Sequence, residues 1–340
     1  MGLLSLFNKE VAMDLGTANS IVIYNDQVVI DEPSIVAVDK QTGKIIAVGK
    51  RAQQMYGKQN NNIATIRPLR GGVIADFEMA QHLIREFIKM TSVTRSFMPP
   101  ALRMVICIPS GITNVEQRAV QESAEQAGAK EIKMIHEPMA AAIGIGIDVM
   151  EPDGNMIVDI GGGTAEIAVI SLGGIVCNNS IRVAGDEFNE NIIDYMKKNH
   201  NLIIGERTAE VVKIAVGSAV SELEEAPEDY PCTGRDVVTG LPKEISINYK
   251  EIAHALDKSI TRIEQAVLDT LAVTPPELAS DIYKNGIYLA GGGSQLRGLD
   301  RRISSKTKLK VHIADDPLRA VARGTGIALK NYNKFSFLIK

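Results

Sequence analysis

The sequence predicts an α/β fold made of two related halves, each a mixed sheet with flanking helices, and three observations carry that prediction. Glycine-rich turns follow apolar strands at three distant places: Ala12 to Ser20 (AMDLGTANS), Ile157 to Glu166 (IVDIGGGTAE) and Tyr288 to Leu296 (YLAGGGSQL). The first two are alike, since Asp14-Leu15-Gly16-Thr17 and Asp159-Ile160-Gly161-Gly162-Gly163-Thr164 each end a strand on aspartate, turn on glycine and place a hydroxyl at the turn. Their aspartates stand 145 residues apart in a chain of 340, close to half its length, which points to an internal duplication with the halves facing one another. Helix-start signals fill the intervals between the strands, the order expected of a mixed α/β architecture.

The elements follow in order. If Leu3 to Glu10 is helical, then at about 100° per residue Leu3, Leu4, Leu6 and Phe7 gather on one side with Ser5, Asn8 and Lys9 opposite, an interfacial stripe. After the first glycine turn come Ser20 to Tyr24, a turn at Asn25-Asp26 and a third strand; after the second come Ala165 to Ile170 and a turn at Gly173-Gly174. Each half therefore opens as a three-stranded meander. Pro33 to Gly72 reads as a strand-rich insertion. Phe97-Met98, after the polar stretch Thr91 to Ser96 and before Pro99-Pro100, is a second apolar element, either packed into the core or on a loop pointing the same way as the terminal stripe. Asn114 with Gln117 makes a capping box for a helix ending at Gly128, Pro138 fits a helical first turn, Asn248 with Glu251 opens another helix and Asp316-Pro317 opens the last. Between Ile181 and about Lys250 lie two amphipathic helices and the polar, Pro- and Gly-bearing run Glu224 to Pro242.

Composition narrows the function. At roughly 150 residues per domain, 340 residues make about two domains with cores of their own. The chain is 45% hydrophobic and 23% charged, and no apolar run approaches the ~20 residues that span a bilayer. Lys plus Arg number 37 against 41 Asp plus Glu, so the basic excess that phosphate-backbone binding requires is missing and nucleic acid is not an expected partner. Cys107, Cys177 and Cys232 are far apart, with no CxxC pair and no secretory signal before them, which predicts reduced thiols in the cytoplasm.

A glycine turn between two strands lets backbone N–H groups approach a phosphate without side-chain obstruction, and Thr17, Asn19 and Thr164 add donors at the same place. Gly16 to Asn19, through Ala18, and Gly161 to Thr164 are thus the candidate phosphate cradle. Two carboxylates brought together across a cleft repel, and a divalent cation between them and the phosphates relieves this. Asp14 and Asp159 are accordingly assigned to Mg²⁺, through water where the ion keeps its hydration shell.

DLGTANS, VDIGGGTAE, the helix start HEPMAAAIG (His136 to Gly144) and LAGGGSQL, in this order, resemble the phosphate, connecting and adenosine motifs of the actin, Hsp70 and sugar-kinase ATPase superfamily. Within it the chain resembles the bacterial actins of the MreB family, the rod-shape-determining proteins. That match extends through IRPLRGGVIADFEMA (Ile66 to Ala80), EQAGAKEI (Glu125 to Ile132), PPELASDIYKNGIYLAGGG (Pro275 to Gly293) and ADDPLRAVARGTG (Ala314 to Gly326). The resemblance implies an actin-like ATPase fold around a nucleotide cleft. Residues 11–32, 73–143 and 316–340 would form subdomain IA, 33–72 IB, 144–180 and 251–315 IIA, and 181–250 IIB, after a membrane-binding segment 1–10. It implies ATP and Mg²⁺ as cofactors, slow hydrolysis linked to polymerisation, and filaments of this chain peripheral on the inner face of the cell membrane. Integral membrane proteins of the cell-elongation machinery are the implied partners. By the same resemblance Glu137, assisted by Thr164, orients the water that attacks the γ-phosphate, while Glu210, Lys213, Gly291, Gly292, Gly293 and Ser294 reach the adenosine. Two departures stand out: His136 where relatives carry an acid, and Ser294-Gln295 in place of an apolar pair.

A single short amphipathic segment binds membrane marginally, because partial insertion and helix ordering consume most of the ~1.5 to 3 kcal/mol that burying each large apolar side chain yields. Many copies along a filament convert each further contact into an intramolecular one, so polymerisation and membrane binding are expected to reinforce each other. N-myristoylation is not expected, since Leu6 stands where its pattern needs Ser or Thr. The alternatives are a chaperone-type ATPase, which needs a peptide-binding domain beyond ARGTGIAL (Ala322 to Leu329), and a small-molecule kinase, which needs an acceptor pocket with its own base.

Overall fold

The computed structural model describes residues 9–58, 60–91 and 102–339; Leu3, Leu4, Leu6, Phe7, Phe97 and Met98 lie outside the described residues. Among the described residues, two five-stranded sheets carry the molecule and share one topology. In the first, the antiparallel meander Lys9–Leu15, Asn19–Tyr24, Gln27–Pro33 is extended beside its first strand by the parallel strands Leu102–Ile108 and Ala129–His136. In the second, the meander Asn155–Ile160, Ala165–Ser171, Gly174–Ile181 is extended by Ile287–Ala290 and Val311–Ile313 in the same way. The registers agree as well: Leu15 faces Ser20 as Ile160 faces Ala165, and Asp14 faces Ile21 as Asp159 faces Glu166. Each second strand carries a register shift, at Val22/Ile23 and at Val169/Ile170.

The local chemistry accounts for most of the boundaries. Asn25 and Asp26 have φ of 50° and 64°, the left-handed pair that a tight two-residue hairpin turn needs. The matching turn falls on Leu172-Gly173, φ 51° and 69°, one residue before the Gly173-Gly174 expected, so that an exposed leucine takes the first left-handed position. Helix Asn114–Gln126 is capped by Thr113 with Glu116, one residue ahead of the expected Asn114 and Gln117: the Thr113 hydroxyl accepts from the Glu116 N–H at 3.3 Å and Glu116 accepts from the Thr113 N–H at 2.8 Å. Asn248 and Glu251 form the reciprocal cap of helix Tyr249–Val273, and Pro138 sits in the first turn of helix Glu137–Ile145. Asp316-Pro317 opens a 3-10 turn, Pro317–Arg319, and the helix Ala320–Lys330 follows it. The polar run after Glu224 contains a strand, Tyr230–Asp236, paired antiparallel to Pro242–Ile247; Cys232 alone of its residues is buried.

Strand alternation sends Val11, Met13, Met104, Ile106 and Ile108 to one face of the first sheet and Ala12, Val105 and Cys107 to the other. The second set meets Ile157, Ala168 and Ile170 of the second sheet across one shared core, filled by helices Glu137–Ile145 and Ala320–Lys330. Small residues let those two helices sit between the sheets: Ala140, Ala141, Ala142 and Ala320 are fully buried. At their crossing a Cβ on Gly324 would stand 1.7 Å from the Ala140 carbonyl oxygen, and one on Gly144 would stand 1.8 Å from that of Ala320. Gly324→Ala is therefore expected to destabilise the protein by about 1–3 kcal/mol despite the better helix propensity of alanine, because the two backbones must separate. Urea unfolding of the variant checks this; an unchanged or raised midpoint would refute the close crossing. Cys107, Cys177 and Cys232 are free thiols.

Candidate functional site

The repeated topology brings the two glycine hairpins tip to tip. A Cβ on Gly162 would lie 2.6 Å from the Ala18 Cβ, and one on Gly163 would lie 2.7 Å from Thr17 Oγ1 and 2.8 Å from the Gly71 nitrogen. Both positions hold glycine because the facing hairpin occupies the space a side chain needs. Gly16 is likewise closed to substitution, 2.5 Å from the Asn19 carbonyl oxygen. The first hairpin is braced by Ser34, whose Oγ–H donates to the Gly16 carbonyl at 2.6 Å and whose N–H donates to Ala18 O at 2.9 Å. Thr17 Oγ1 is buried and accepts from the Gly72 N–H at 2.9 Å, while the buried Thr164 packs against Gly72 from the other half.

Around this junction the remaining candidates converge. Gly291 abuts Asp159, its Cβ position 2.4 Å from Asp159 Oδ1, and Gly293 abuts Ile160. Ser294 is fully buried and its hydroxyl donates to the Gly291 carbonyl at 2.7 Å, so the departure at this position closes the turn, while Gln295 is exposed. Lys213 Nζ donates to Glu210 Oε2 at 2.8 Å and to the Gly185 carbonyl at 3.1 Å, and Gly185 in turn donates its N–H to Gly161 O at 3.2 Å. Helix Glu206–Val216, which carries Glu210 and Lys213, is tied to the segment after Ser294 by Arg297, whose Nη1 donates to the Ile214 and Gly217 carbonyls at 3.2 Å each.

Electrostatically the site is a crowd of acids. Asp14, at the end of its strand, is pushed up to about 6 by burial, although the Cys107 Sγ–H donates to it at 3.0 Å. Asp159 is pushed up to about 7 by burial and then by the charges of Asp14 and Glu166. Glu137 rises well above the usual carboxylate range, from burial and then from Asp159, Glu166 and Asp14. The charges acting on Glu137 are thus all carboxylates, and the buried Asp159 Oδ1 has no hydrogen-bond partner. A divalent cation fits this arrangement, since it would supply the missing positive charge and a partner for that oxygen. Among the described residues no group of three or more His, Cys, Asp or Glu is arranged as a direct ligand set, so Asp14 and Asp159 could hold such an ion only with water completing its shell. His136 Nδ1 lies 3.3 Å from the Pro109 carbonyl, and burial pushes its pKa down.

Two features escaped the sequence reading. Glu166 is fully buried in the strand after the second hairpin, accepting from the Ser110 N–H at 3.1 Å, the Ser110 hydroxyl and the Ser180 hydroxyl at 2.5 Å. Its signal was there to read, a lone carboxylate in the apolar strand AEIAVIS, where the first half has Ile21. Arg67, bonded to Asp186 and Glu206, had no local signal.

Comparison with known proteins agrees with this architecture. A model of the MreB/Mbl protein family matches residues 8–336. The chain is 45% identical over 330 residues to the cell shape-determining protein Mbl of Bacillus subtilis (strain 168), covering 97% of this chain and 98% of that one. It is 46% identical over 330 residues to the cell shape-determining protein MreB of Escherichia coli (strain K12), covering 96% and 94% respectively. The crystal structure of MreB 5 of Spiroplasma citri bound to AMPPNP superposes with a TM-score of 0.90 at 38% identity, covering 96% of this chain and 97% of that one.

Proposed function

The chain belongs to the MreB/Mbl family, and from that premise we propose that it is an actin-like cytoskeletal ATPase that binds Mg-ATP between its halves and polymerises into membrane-associated filaments organising cell shape and cell-wall elongation. The observation that carries the reading is the pair of acid-bearing glycine hairpins set tip to tip, with a buried, unpartnered aspartate oxygen beside them. In this reading the backbone N–H groups of Gly16 to Asn19 and Gly161 to Thr164 hold the phosphates, and Glu210, Lys213 and Gly291 to Ser294 hold the adenosine. Asp14 and Asp159 would hold Mg²⁺, through water, and the ion when bound would supply charge neutralisation for the phosphate oxygens. Glu137 accepts a hydrogen bond from the attacking water and takes its proton as the water oxygen bonds to the γ-phosphorus and the bond to the β-phosphate oxygen breaks; the Thr164 hydroxyl helps hold that water. Positioning dominates such chemistry, and the rigid pairing of the two hairpins favours it.

The four-subdomain division, IA to IIB with the boundaries given above, belongs to the same proposal. For the membrane, Lys9 and Leu102 are partners in parallel register, so residues 1–8 and 92–101 join the fold at neighbouring strand starts at one end of the first sheet. That juxtaposition supports Leu3, Leu4, Leu6, Phe7, Phe97 and Met98 acting on one lipid surface. Among the described residues no helix is long and apolar enough to cross a membrane. We expect the protein with Mg-ATP to pellet with anionic liposomes and to form filaments on them by electron microscopy, and the variant lacking residues 2–8 to lose most of the lipid-bound fraction. Undiminished binding of that variant would remove the terminal segment from this role, and stoichiometric phosphorylation of a small acceptor without filaments would favour a kinase.

A further inference from the structure

The cluster around Arg67 joins parts of the chain with no local reason to meet. Arg67, just after strand Ile63–Ile66, reaches both carboxylate oxygens of Asp186 with Nη2, at 2.8 and 2.9 Å, and Glu206 with Nη1. The other Glu206 oxygen accepts from the Tyr56 hydroxyl at 2.6 Å. Asp186 lies in the first turn of helix Gly185–His200 and Glu206 begins helix Glu206–Val216, so an arginine and a tyrosine of the first half are bonded to two acids of the second. The Arg67 side chain is 16% exposed and the two acids are 31% exposed each, a partly desolvated set in which ion pairing is stronger than on an open surface.

What surrounds the cluster ties it to the phosphate hairpins. Arg67 Nη2 lies 3.5 Å from the Thr17 carbonyl oxygen in the first hairpin. The Asp186 N–H donates to Gly162 O at 2.7 Å, and Lys213 reaches the neighbouring Gly185 carbonyl at 3.1 Å. One guanidinium thus touches the first hairpin directly and the second through the residue it chelates. Among the described residues the halves also meet in the apolar, sealed core around helices Glu137–Ile145 and Ala320–Lys330, in the Ser110 bonds to the fully buried Glu166 and in an exposed bond from Asn178 Nδ2 to Ser110 Oγ at 3.1 Å, whereas the Arg67 cluster joins them by ion pairs. Only a polar, partly exposed contact can release and re-form without exposing core.

We propose that Arg67 is a positioning residue: bound to Asp186 and Glu206 it fixes the spacing of the two glycine hairpins and clasps the halves together, and its release is the step that lets bound nucleotide leave. The proposal rests on the nucleotide reading above, and its test separates the two. Dissociation of a fluorescent ATP analogue, chased with unlabelled Mg-ATP, is followed in the parent chain and in Arg67→Gln, Arg67→Lys, Asp186→Asn and the Arg67→Gln/Asp186→Asn double variant. Loss of a chelated pair is expected to raise the dissociation rate by about tenfold or more in Arg67→Gln and in Asp186→Asn, with the double variant no faster than Arg67→Gln, which already removes the Asp186 contact along with that to Glu206. Single-turnover hydrolysis at saturating ATP falls with it, a readout that a purely structural role would leave alone. Arg67→Lys keeps the charge but cannot reach both acids, so it releases nucleotide at an intermediate rate and carries the test if the glutamine variant fails to fold. Release within twofold of the parent in all variants that fold overturns the clasp. Failure of the parent itself to take up Mg-ATP is a different result, and overturns the nucleotide reading together with the clasp.

Discussion

Glu137→Ala is expected to slow phosphate release by roughly 10²- to 10⁴-fold, the usual contribution of a positioned general base, while Mg-ATP binding stays within a few-fold of the parent. The two halves of that expectation come from different features of the site. Glu137 opens the helix Glu137–Ile145 behind the hairpins, where its carboxyl is raised by burial and by Asp159, Glu166 and Asp14. A carboxyl raised in this way is held toward its neutral form in the empty site and becomes a proton acceptor once Mg-ATP brings its cation to the neighbouring acids, so removing it takes away the acceptor with little change in the charge that the incoming triphosphate meets, and affinity holds. Capping of the helix dipole, the alternative role for a first-turn acid, is worth only ~0.3–1 kcal/mol and would show in stability, with hydrolysis untouched. Phosphate release by a coupled assay and nucleotide titration on the same preparation separate the roles, and Glu137→Gln, which keeps the shape, should be as slow as alanine. Unchanged phosphate release in either variant would take Glu137 out of the chemistry.

The parts of the molecule legible in the sequence are those whose physics is local. A strand ending in Asp, a glycine that must turn and a hydroxyl at the turn sit within a few residues of one another, so both hairpins and their repetition could be read directly, and the shared sheet order extends that repetition beyond them. A cap is local too, yet Thr113 with Glu116 and Asn114 with Gln117 both satisfy the same three-residue spacing; threonine wins because its own N–H and hydroxyl both find the Glu116 carboxylate. The strand Tyr230–Asp236 was hidden because a hairpin with one buried side chain has no apolar alternation to read. The clasp was illegible for a different reason: Arg67 is separated from Asp186 by 119 residues and from Glu206 by 139, and no periodicity records a contact made by the approach of two halves. Glu166 shows the remaining case, where duplication itself supplies the signal by placing an acid at the register position that Ile21 holds in the first half.

Without nucleotide or divalent cation, the same acids make the fold a titrating system with a definite sign. Asp14 and Asp159 have folded-state pKa values raised from 3.8 to about 6 and about 7, so between those limits the folded chain binds more protons than the unfolded one. Stability then falls as pH rises through that window: it is fully present below about pH 4, where both states are protonated, and is lost by about pH 7 to 8. A tenfold change in acidity corresponds to about 1.4 kcal/mol, and Asp14 is only half-buried, so the loss is on the order of a few kcal/mol, a large part of the 5–15 kcal/mol that holds an ordinary domain together. In a chelator, the melting temperature of the parent should therefore drop between pH 5 and pH 8 by more than that of Asp159→Asn, whose neutral amide cannot be charged at any of these values. At pH 5 the two proteins should melt close together and at pH 8 the variant should be the more stable. Adding Mg-ATP should reverse the order, because the parent gains the stabilisation of a bound ligand, about 2.7 kcal/mol at a hundredfold excess over Kd, and the variant has lost an acid assigned to the ion. Parallel melting curves for parent and variant across pH 5 to 8 would mean that Asp159 is already charged and compensated in the empty fold, and with that the case for a cation between the hairpins would lose its electrostatic ground.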